Sequence, residues 1–503
     1  MSEGTPGGAA GAGVDVAVVG AGVIGCAVSW ALTKAGRRVL LIDRGDPATA
    51  GASFGNVGHI ATEQLQPLPS PPLLFNFWRQ LAAFGGVLDI PLRRVLPMSP
   101  WMMRFALAAF RLEENTRHLA PLVSNAADVL ESQLLEVGRG DLIRRNGHYA
   151  LWLGPNATAN AAAERARASS IGVPTGDAPI ELLRAAAALA EAAEATPTPR
   201  AAAPTANPGR PTANPMQRSD GARSVEEANT NAEAPGSVAG AAPAAAAGGT
   251  GAAAGTAAGS ATEVAGASPD GEMWAAGVWY PASAHVLDPA HVARAFASAS
   301  AQAGGSFVRA EVRHIRPRGD GVEIITDNGT FTPRTTIICA GAWSSPLLAP
   351  FGINAPLEAE RGYHIELPNH APLIDAPILY ADHSVVVTPM ASRLRASTFL
   401  EFAGLGTPAD PDKPRRLRAK VRQMGYDCPP DGPSWMGPRP TLPDYLPGIG
   451  RAPGPHELYY AVGHQHLGLT LSAVTADLVA ALVMARTPRF EVKAFDLKRF
   501  GSP

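Results

Sequence analysis

Three glycines, Gly20, Gly22 and Gly25, stand between the apolar run VDVAVV and the helical pattern CAVSWALTKAG. In a strand–turn–helix, the first allows a tight turn and the second lets a pyrophosphate approach the backbone. The third lets the helix pack closely on the strand. The helix N-terminus then meets the phosphates with free N–H groups and the positive end of its dipole. A second strand, VLLID, ends in Asp43, 18 residues past Gly25. An acid at that spacing reaches a ribose hydroxyl. Strand, glycines, helix and acid together predict a dinucleotide site. They do not by themselves separate a flavin from a nicotinamide.

A second ligand-type segment lies near the C-terminus. GHQHLGLT, from Gly463 to Thr470, joins the strand LYYAV to an apolar helix. Such a turn again aims backbone N–H groups at an anion. Negative charge on a reduced flavin ring would be stabilised there. His464 and His466 have no Cys or carboxylate at a matching metal-ligand spacing, so no metal is expected from them. Cys26, Cys339 and Cys428 are too few and too far apart for a disulfide framework. Cys26 and Cys339 read as core fillers.

The elements that must position these segments follow from the hydrophobic pattern. Strands are predicted at Val14–Val19, Val39–Ile42, His148–Leu153, Thr335–Cys339 and Leu458–Val462. A meander is predicted over Phe307–Ile315, Val322–Thr326 and Thr330–Thr332, and a hairpin over Ser384–Thr388 and Ala396–Phe399. Helices are predicted at Ile180–Ala195, Pro289–Ala303 (capped by Asp288) and Ser472–Met484. Residues 1–13 read as a flexible leader without a basic region. Thr196 to Asp270 contains no Phe, Trp, Tyr, Leu or Ile. That composition cannot bury enough apolar area to offset about 1–2 kcal/mol of backbone entropy per residue, so 196–270 reads as a disordered low-complexity insertion.

Composition narrows the function. Lys and Arg number 42 against 44 Asp and Glu, so there is no electrostatic footprint for nucleic acid. No stretch reaches about 18 uninterrupted apolar residues, so no transmembrane segment is expected. The apolar, aromatic stretch Pro71–Phe110 reads as helices packed on the core. The alternative is a surface for a membrane or a quinone-side electron acceptor.

Four pieces resemble the D-amino acid oxidase/dehydrogenase superfamily of FAD enzymes, and look most like bacterial D-amino acid dehydrogenases. They are VAVVGAGVIG…LLIDR, SFGNVGHI, TTIICAGAWS, and GPRPTLPDYLPGIG followed by GHQHLGLTLS. The resemblance implies that Gly20, Gly22, Gly25, Asp43 and Arg44 hold the ADP half. Ser53, Gly55 and Asn56 would line the path to the flavin ring. Val312 would present its backbone to the adenine, with Ala340, Gly341 and Trp343 on the adenosine side. Gly463, His464, Leu467, Gly468 and Thr470 would cover the pyrimidine end. Where related enzymes carry a flavin-linked His, this chain has Gly55, which implies non-covalent FAD. His59 is the reserve linkage position. Arg439 matches the family arginine that pairs with a substrate carboxylate, with Arg395 and Arg361 as competitors. Tyr363, Tyr380 and His383 are further possible pocket liners.

The expected fold is α/β: a discontinuous Rossmann-like FAD-binding domain and a substrate domain with a mixed or antiparallel sheet. The first is expected at 14–65, 289–350 and 439–485. The second is expected at 66–195, 271–288 and 351–438. The expected reaction is oxidation of a D-amino acid or cyclic imino acid, D-hydroxyproline being the leading candidate. Electrons would pass to a quinone or carrier. The alternatives are a glycine/sarcosine-type amine oxidase that reduces oxygen, and a non-catalytic flavin-binding subunit. A cytoplasmic location is expected, with a peripheral position on the inner face of a membrane as the variant.

Overall fold

The strand Val16–Val19 is buried on both faces, as its unbroken apolar run requires. In the computed structural model it lies near the middle of a six-stranded sheet. The order is Ser306–Arg309, Val39–Asp43, Val16–Val19, Thr335–Ile338, Leu458–Val462 and Gly448–Arg451. The first five run parallel, and Gly448–Arg451 closes the edge antiparallel. The structure describes residues 14–49, 51–81, 86–195, 275–319, 321–368 and 374–501. The leader 1–13 and the insertion 196–270 lie outside the described residues.

Alternate residues of each strand feed different cores. Val16 and Val18 face a cluster shared with the helices Val23–Lys34, Pro289–Gln302 and Ser472–Val483. Ala17 and Val19 face a second cluster with Ile315, Ile324 and Phe331, which belong to a three-stranded antiparallel sheet. Asp288 caps its helix as expected, its carboxylate accepting from the amides of Ala290 and His291. The predicted meander needs correction. Phe307–Ile315 is two strands that part at Ala310 and Glu311. Ser306–Arg309 joins the parallel sheet, whereas Val312–Arg318 begins the antiparallel one. An alternating pattern reports a strand but not a change of partner.

A nine-stranded sheet stands apart. Its order is Ser434–Thr441, Glu358–Pro368, Arg393–Glu401, Val385–Pro389, Ile378–Tyr380, His148–Leu153, Ala275–Tyr280 and Gly176–Asp177, with Leu88–Asp89 alongside Arg393–Glu401. It is mixed: Ile378–Tyr380 pairs parallel with His148–Leu153, and Val385–Pro389 pairs antiparallel with Arg393–Glu401 in the predicted hairpin. The α/β expectation, a Rossmann-type parallel sheet beside a mixed sheet, therefore holds. A third, small sheet joins His59–Ile60, Ala284–Val286 and Ile143–Arg144.

The stretch 71–110 is helical at Pro71–Phe75, Phe77–Gln80 and Leu92–Ala109. Met98 and Trp101 pack with Phe402 and Tyr445. Phe75, Leu92, Leu96, Met103, Leu107 and Phe110 stay exposed. One side of this region thus belongs to the core and the other does not. Among the described residues no helix is long and apolar enough to cross a membrane.

Candidate functional site: a dinucleotide-sized cleft between two sheets

The glycine turn is built as its spacing demands. Gly20 has φ +106°, and a Cβ there would lie 2.4 Å from the Cys339 carbonyl oxygen, on the neighbouring parallel strand. A Cβ on Gly25 would lie 1.8 Å from the Gly20 oxygen. No other residue type fits either position. Gly22 is the N-cap of the helix Val23–Lys34, with its amides opening beyond the carboxyl end of the strand. This is where the strand order reverses, the crevice in which α/β folds hold ligands. Asp43 braces the turn: its Oδ2 accepts from the Ala21 amide at 2.6 Å, and its Oδ1 from the Gly45 amide at 3.0 Å. Ser53 Oγ accepts from the Val23 amide at 3.0 Å, beside the helix N-terminus.

From this turn a cleft of about 320 Å³ runs between the parallel sheet and the edge of the mixed sheet. Gly20, Gly22, Asp43, Arg44, Ser53, Gly55, Asn56, Val312, Ala340, Gly341, Trp343, His464 and Gly468 line it. Gly25 and Leu467 do not; Gly25 serves helix–strand contact and Leu467 sits in the core. Thr470 is also off the cleft and buried, its hydroxyl accepting from the Ala61 amide. Gly463, with φ +72°, packs against Leu442, where a Cβ would overlap at 2.4 Å. Arg44 lies over the Trp343 ring, 4.3 Å from its centroid. A backbone cradle that side chains would fill, a helix N-terminus and an aromatic–arginine end suit an ADP moiety and fit a flavin dinucleotide.

At the other end, Trp435 covers Gly55. A Cβ on Gly55 would come within 2.1 Å of the indole. His364 stacks on Trp435 with ring centroids 5.2 Å apart, and its Nδ1 lies 2.9 Å from the Gly55 carbonyl oxygen. Burial, with Arg395 nearby, pushes the His364 pKa down to about 3. His464 Nε2 lies 3.0 Å from Thr475 Oγ1, and burial lowers the His464 pKa to about 3. His466 lines the cleft, 2.6 Å from Gln64 Oε1, and burial brings it to about 4. These rings are neutral at physiological pH. His59 does not line the cleft; it sits with Glu63 and His148.

The three candidate arginines differ in their surroundings. Arg361 is buried, with Nε 2.6 Å from Glu401 Oε2 and further bonds to the Thr407 and Pro408 carbonyls and the Tyr363 hydroxyl. Arg395 is bound to Glu366 through Nε and Nη2, and its Nη1 donates to the Asn56 carbonyl. Neither lines the cleft. Arg439 does. It projects from the edge strand Ser434–Thr441, and its Nη1 donates to Glu360 Oε1 at 2.9 Å. Among the described residues its Nε and Nη2 meet no protein acceptor; that side of the guanidinium lies over Gly362, where a Cβ would come within 2.3 Å of Nη2. Tyr363 lines the cleft, with its hydroxyl bonded to Glu401; Tyr380 and His383 do not.

Sequence reasoning missed Glu360 and Trp435. Glu360 is buried and also accepts from Thr441 and Tyr445. Burial acts to raise its pKa, but Arg439 and the hydrogen bonds prevail and hold it below the usual carboxylate range. Trp435 and Arg439 lie four residues apart on one strand, so period-2 alternation puts them on the same face. That signal was present in SWMGPRP; nothing in it points to the cleft rather than to solvent.

The chain matches the family model described as FAD dependent oxidoreductase (DAO) over residues 15–215 and 232–482. It is 26% identical to a D-amino-acid oxidase of Bradyrhizobium diazoefficiens, covering 97% of this chain and 99% of that protein. It is 27% identical to a D-amino acid dehydrogenase of Paramagnetospirillum magneticum, with the same coverages. The fold is similar to that of glycine oxidase from Geobacillus kaustophilus, with a TM-score of 0.59 and 20% identity over 96% of this chain and 98% of that one.

Proposed function

Because this chain belongs to the DAO family of FAD-dependent oxidoreductases, we propose that it oxidises a D-amino acid or cyclic imino acid, with Arg439 holding the substrate carboxylate. One observation carries the reading. Of the three candidate arginines, only Arg439 lines the cleft, and among the described residues its Nε and Nη2 have no protein acceptor. A planar fork with one edge tied to Glu360 and the other free is pre-oriented for a bidentate carboxylate pair. The relatives named for D-amino acids, one an oxidase and one a dehydrogenase, support the same substrate class.

The segments 14–65, 289–350 and 439–485 serve the flavin in this reading, and the remaining globular segments serve the substrate. Gly20, Gly22 and the amides of the first helix turn hold the pyrophosphate. Asp43 and Arg44 hold the ADP half, and Gly55 with Asn56 borders the ring without a covalent link. The bound flavin supplies the acceptor for the hydride from the substrate Cα. The protein's part is orientation by Arg439 and exclusion of water by Trp435 and Tyr363. A substrate amine that binds neutral needs no dedicated base. The product imine leaves and hydrolyses to the 2-oxo acid and ammonia; a cyclic substrate leaves as the ring imine.

Electron delivery to a membrane quinone is favoured by the exposed apolar residues of Leu92–Ala109 and its flanks. Leu92, Leu96 and Phe110 are 90%, 81% and 73% exposed, which no packing need explains. Anaerobic mixing with D-amino acids, cyclic imino acids including D-hydroxyproline, and sarcosine tests the whole reading. Flavin bleaching by D-amino or imino acids is expected. Bleaching by sarcosine alone would transfer the enzyme to the amine oxidases, and no bleaching with any amino acid would make it a flavin-binding subunit.

A further inference from the structure

Outside the cleft, the described residues contain a buried set of metal-ligating atoms. His59 Nε2 lies 3.6 Å from Glu63 Oε1, and His148 Nδ1 lies 3.8 Å from the same oxygen. All three donor atoms fall within 4.8 Å of one another. The side chains are 4–7% exposed. Among the described residues, His59 Nε2 and both ring nitrogens of His148 have no hydrogen-bond partner. Buried polar atoms are almost always bonded, and each exception calls for an explanation. Two of these orphan nitrogens, His59 Nε2 and His148 Nδ1, flank one carboxylate oxygen.

We propose that His59, Glu63 and His148 form a binding site for a divalent transition metal, zinc by the chemistry of the donors. Two imidazoles and one carboxylate are a common zinc set. Zinc bonds of about 2.0–2.2 Å in a tetrahedron put neighbouring donors roughly 3.3–3.6 Å apart. The two measured separations need only a few tenths of an ångström of contraction. The carboxylate is pre-set for the role: Ser283 Oγ donates to Glu63 Oε2 at 2.6 Å, which leaves Oε1 for the metal. Thr62 Oγ1 in turn lies 3.2 Å from Ser283 Oγ. This is the outer-shell anchoring that ligating carboxylates use. Three protein donors leave a fourth position for water. The other His/acid-type cluster, Asp89, Glu401 and Asp410, differs in that Lys413 already supplies its cation, with Nζ 2.5 Å from Asp89.

The site would join separate pieces of the fold. His59 follows directly on the cleft wall at Ser53–Val57, and His148 opens a strand of the mixed sheet. A bound ion would tie the ring end of the cleft to that sheet.

Untagged holoenzyme, produced in zinc-supplemented cells and desalted, should contain about one zinc per chain by plasma mass spectrometry. After chelator treatment it should rebind zinc in a calorimetric titration and melt at higher temperature with zinc present. The Ser283→Ala variant, which leaves all three ligands in place, should bind zinc about 10- to 100-fold more weakly. The double variant His59→Gln, His148→Gln should lose the site while flavin absorbance reports its folding. Wild-type protein with no zinc and no titratable binding overturns the proposal. So does a double variant that retains flavin and binds zinc as the wild type does.

Discussion

Arg439 and Glu360 are register partners on neighbouring strands, with Nη1 and Oε1 2.9 Å apart and Glu360 buried beneath. The carboxylate fixes Nη1 and, among the described residues, Nε and Nη2 stay without a protein acceptor. Replacing Arg439 by Ala should lower kcat/KM by roughly 30- to 5000-fold, the equivalent of about 2–5 kcal/mol for a lost buried ionic contact. Arg439→Lys should recover only part, since a point charge cannot reproduce the fork. Glu360→Gln should cost at least about tenfold less than Arg439→Ala, because the carboxylate-binding edge survives. Benzoate titration of the flavin spectrum checks binding separately from turnover. A near-normal kcat/KM in Arg439→Ala removes it as the anchor.

Flavin retention should track the two glycine contacts. Gly22→Val should yield colourless protein. Its branched side chain would occupy the pyrophosphate approach and press on Ser53 Oγ, which lies 3.2 Å from where the Cβ would stand. Gly55→Ala should displace Trp435 and weaken flavin binding, seen as increased flavin loss on dialysis. Acid precipitation of the wild type should release all the flavin to the supernatant. Colour that stays in the pellet would show a covalent link.

Acid should destabilise the protein through its buried neutral histidines. His364 and His464 have folded pKa values of about 3, against roughly 6.5 unfolded. The unfolded state therefore binds their protons first as pH falls. Stability is fullest above about 6.5 and declines from there toward about 3, by up to about 1.4 kcal/mol per pH unit for each ring. Urea midpoints between about pH 7 and pH 5 should fall, and His464→Gln should make the decline shallower by one proton. An unchanged slope in that variant would show that His464 is not a source of the effect.

The apolar face of Leu92–Ala109 should bind lipid. Leu96→Glu with Leu107→Glu should reduce co-sedimentation with anionic vesicles by at least about tenfold, since each change removes apolar contact and adds repulsion. Flavin content and dye-linked turnover should be unaffected, as neither residue lines the cleft. Equal sedimentation of wild type and variant would argue for a soluble acceptor.

Much of the cofactor half was legible because its constraints are local. Gly20, Gly22 and Gly25 answer to backbone sterics within one strand–turn–helix, and Asp43 ends the very next strand. The chain cannot make that turn with other residues, so the spacing alone carries the information. Core strands were legible for a similar reason: burial on both faces demands continuous apolar runs, as at Thr335–Ile338 and Leu458–Val462.

The substrate half required the tertiary structure. Arg361, Arg395 and Arg439 are the same residue type on strands of one sheet; the motif around Arg439 favours it by resemblance, but nothing in the sequence shows which of the three is already paired. Partners distant along the chain do so: Glu401 and Glu366 consume the first two, while Glu360 leaves one edge of the third unpaired. Glu63 and His148 are likewise 85 positions apart in the chain and 3.8 Å apart in space. By itself the sequence determined the nucleotide turn, the family and the continuously apolar core strands around that turn. Which charges neutralise one another was decided only by packing, because pairing energy depends on distance and burial, and neither is a property of residue type.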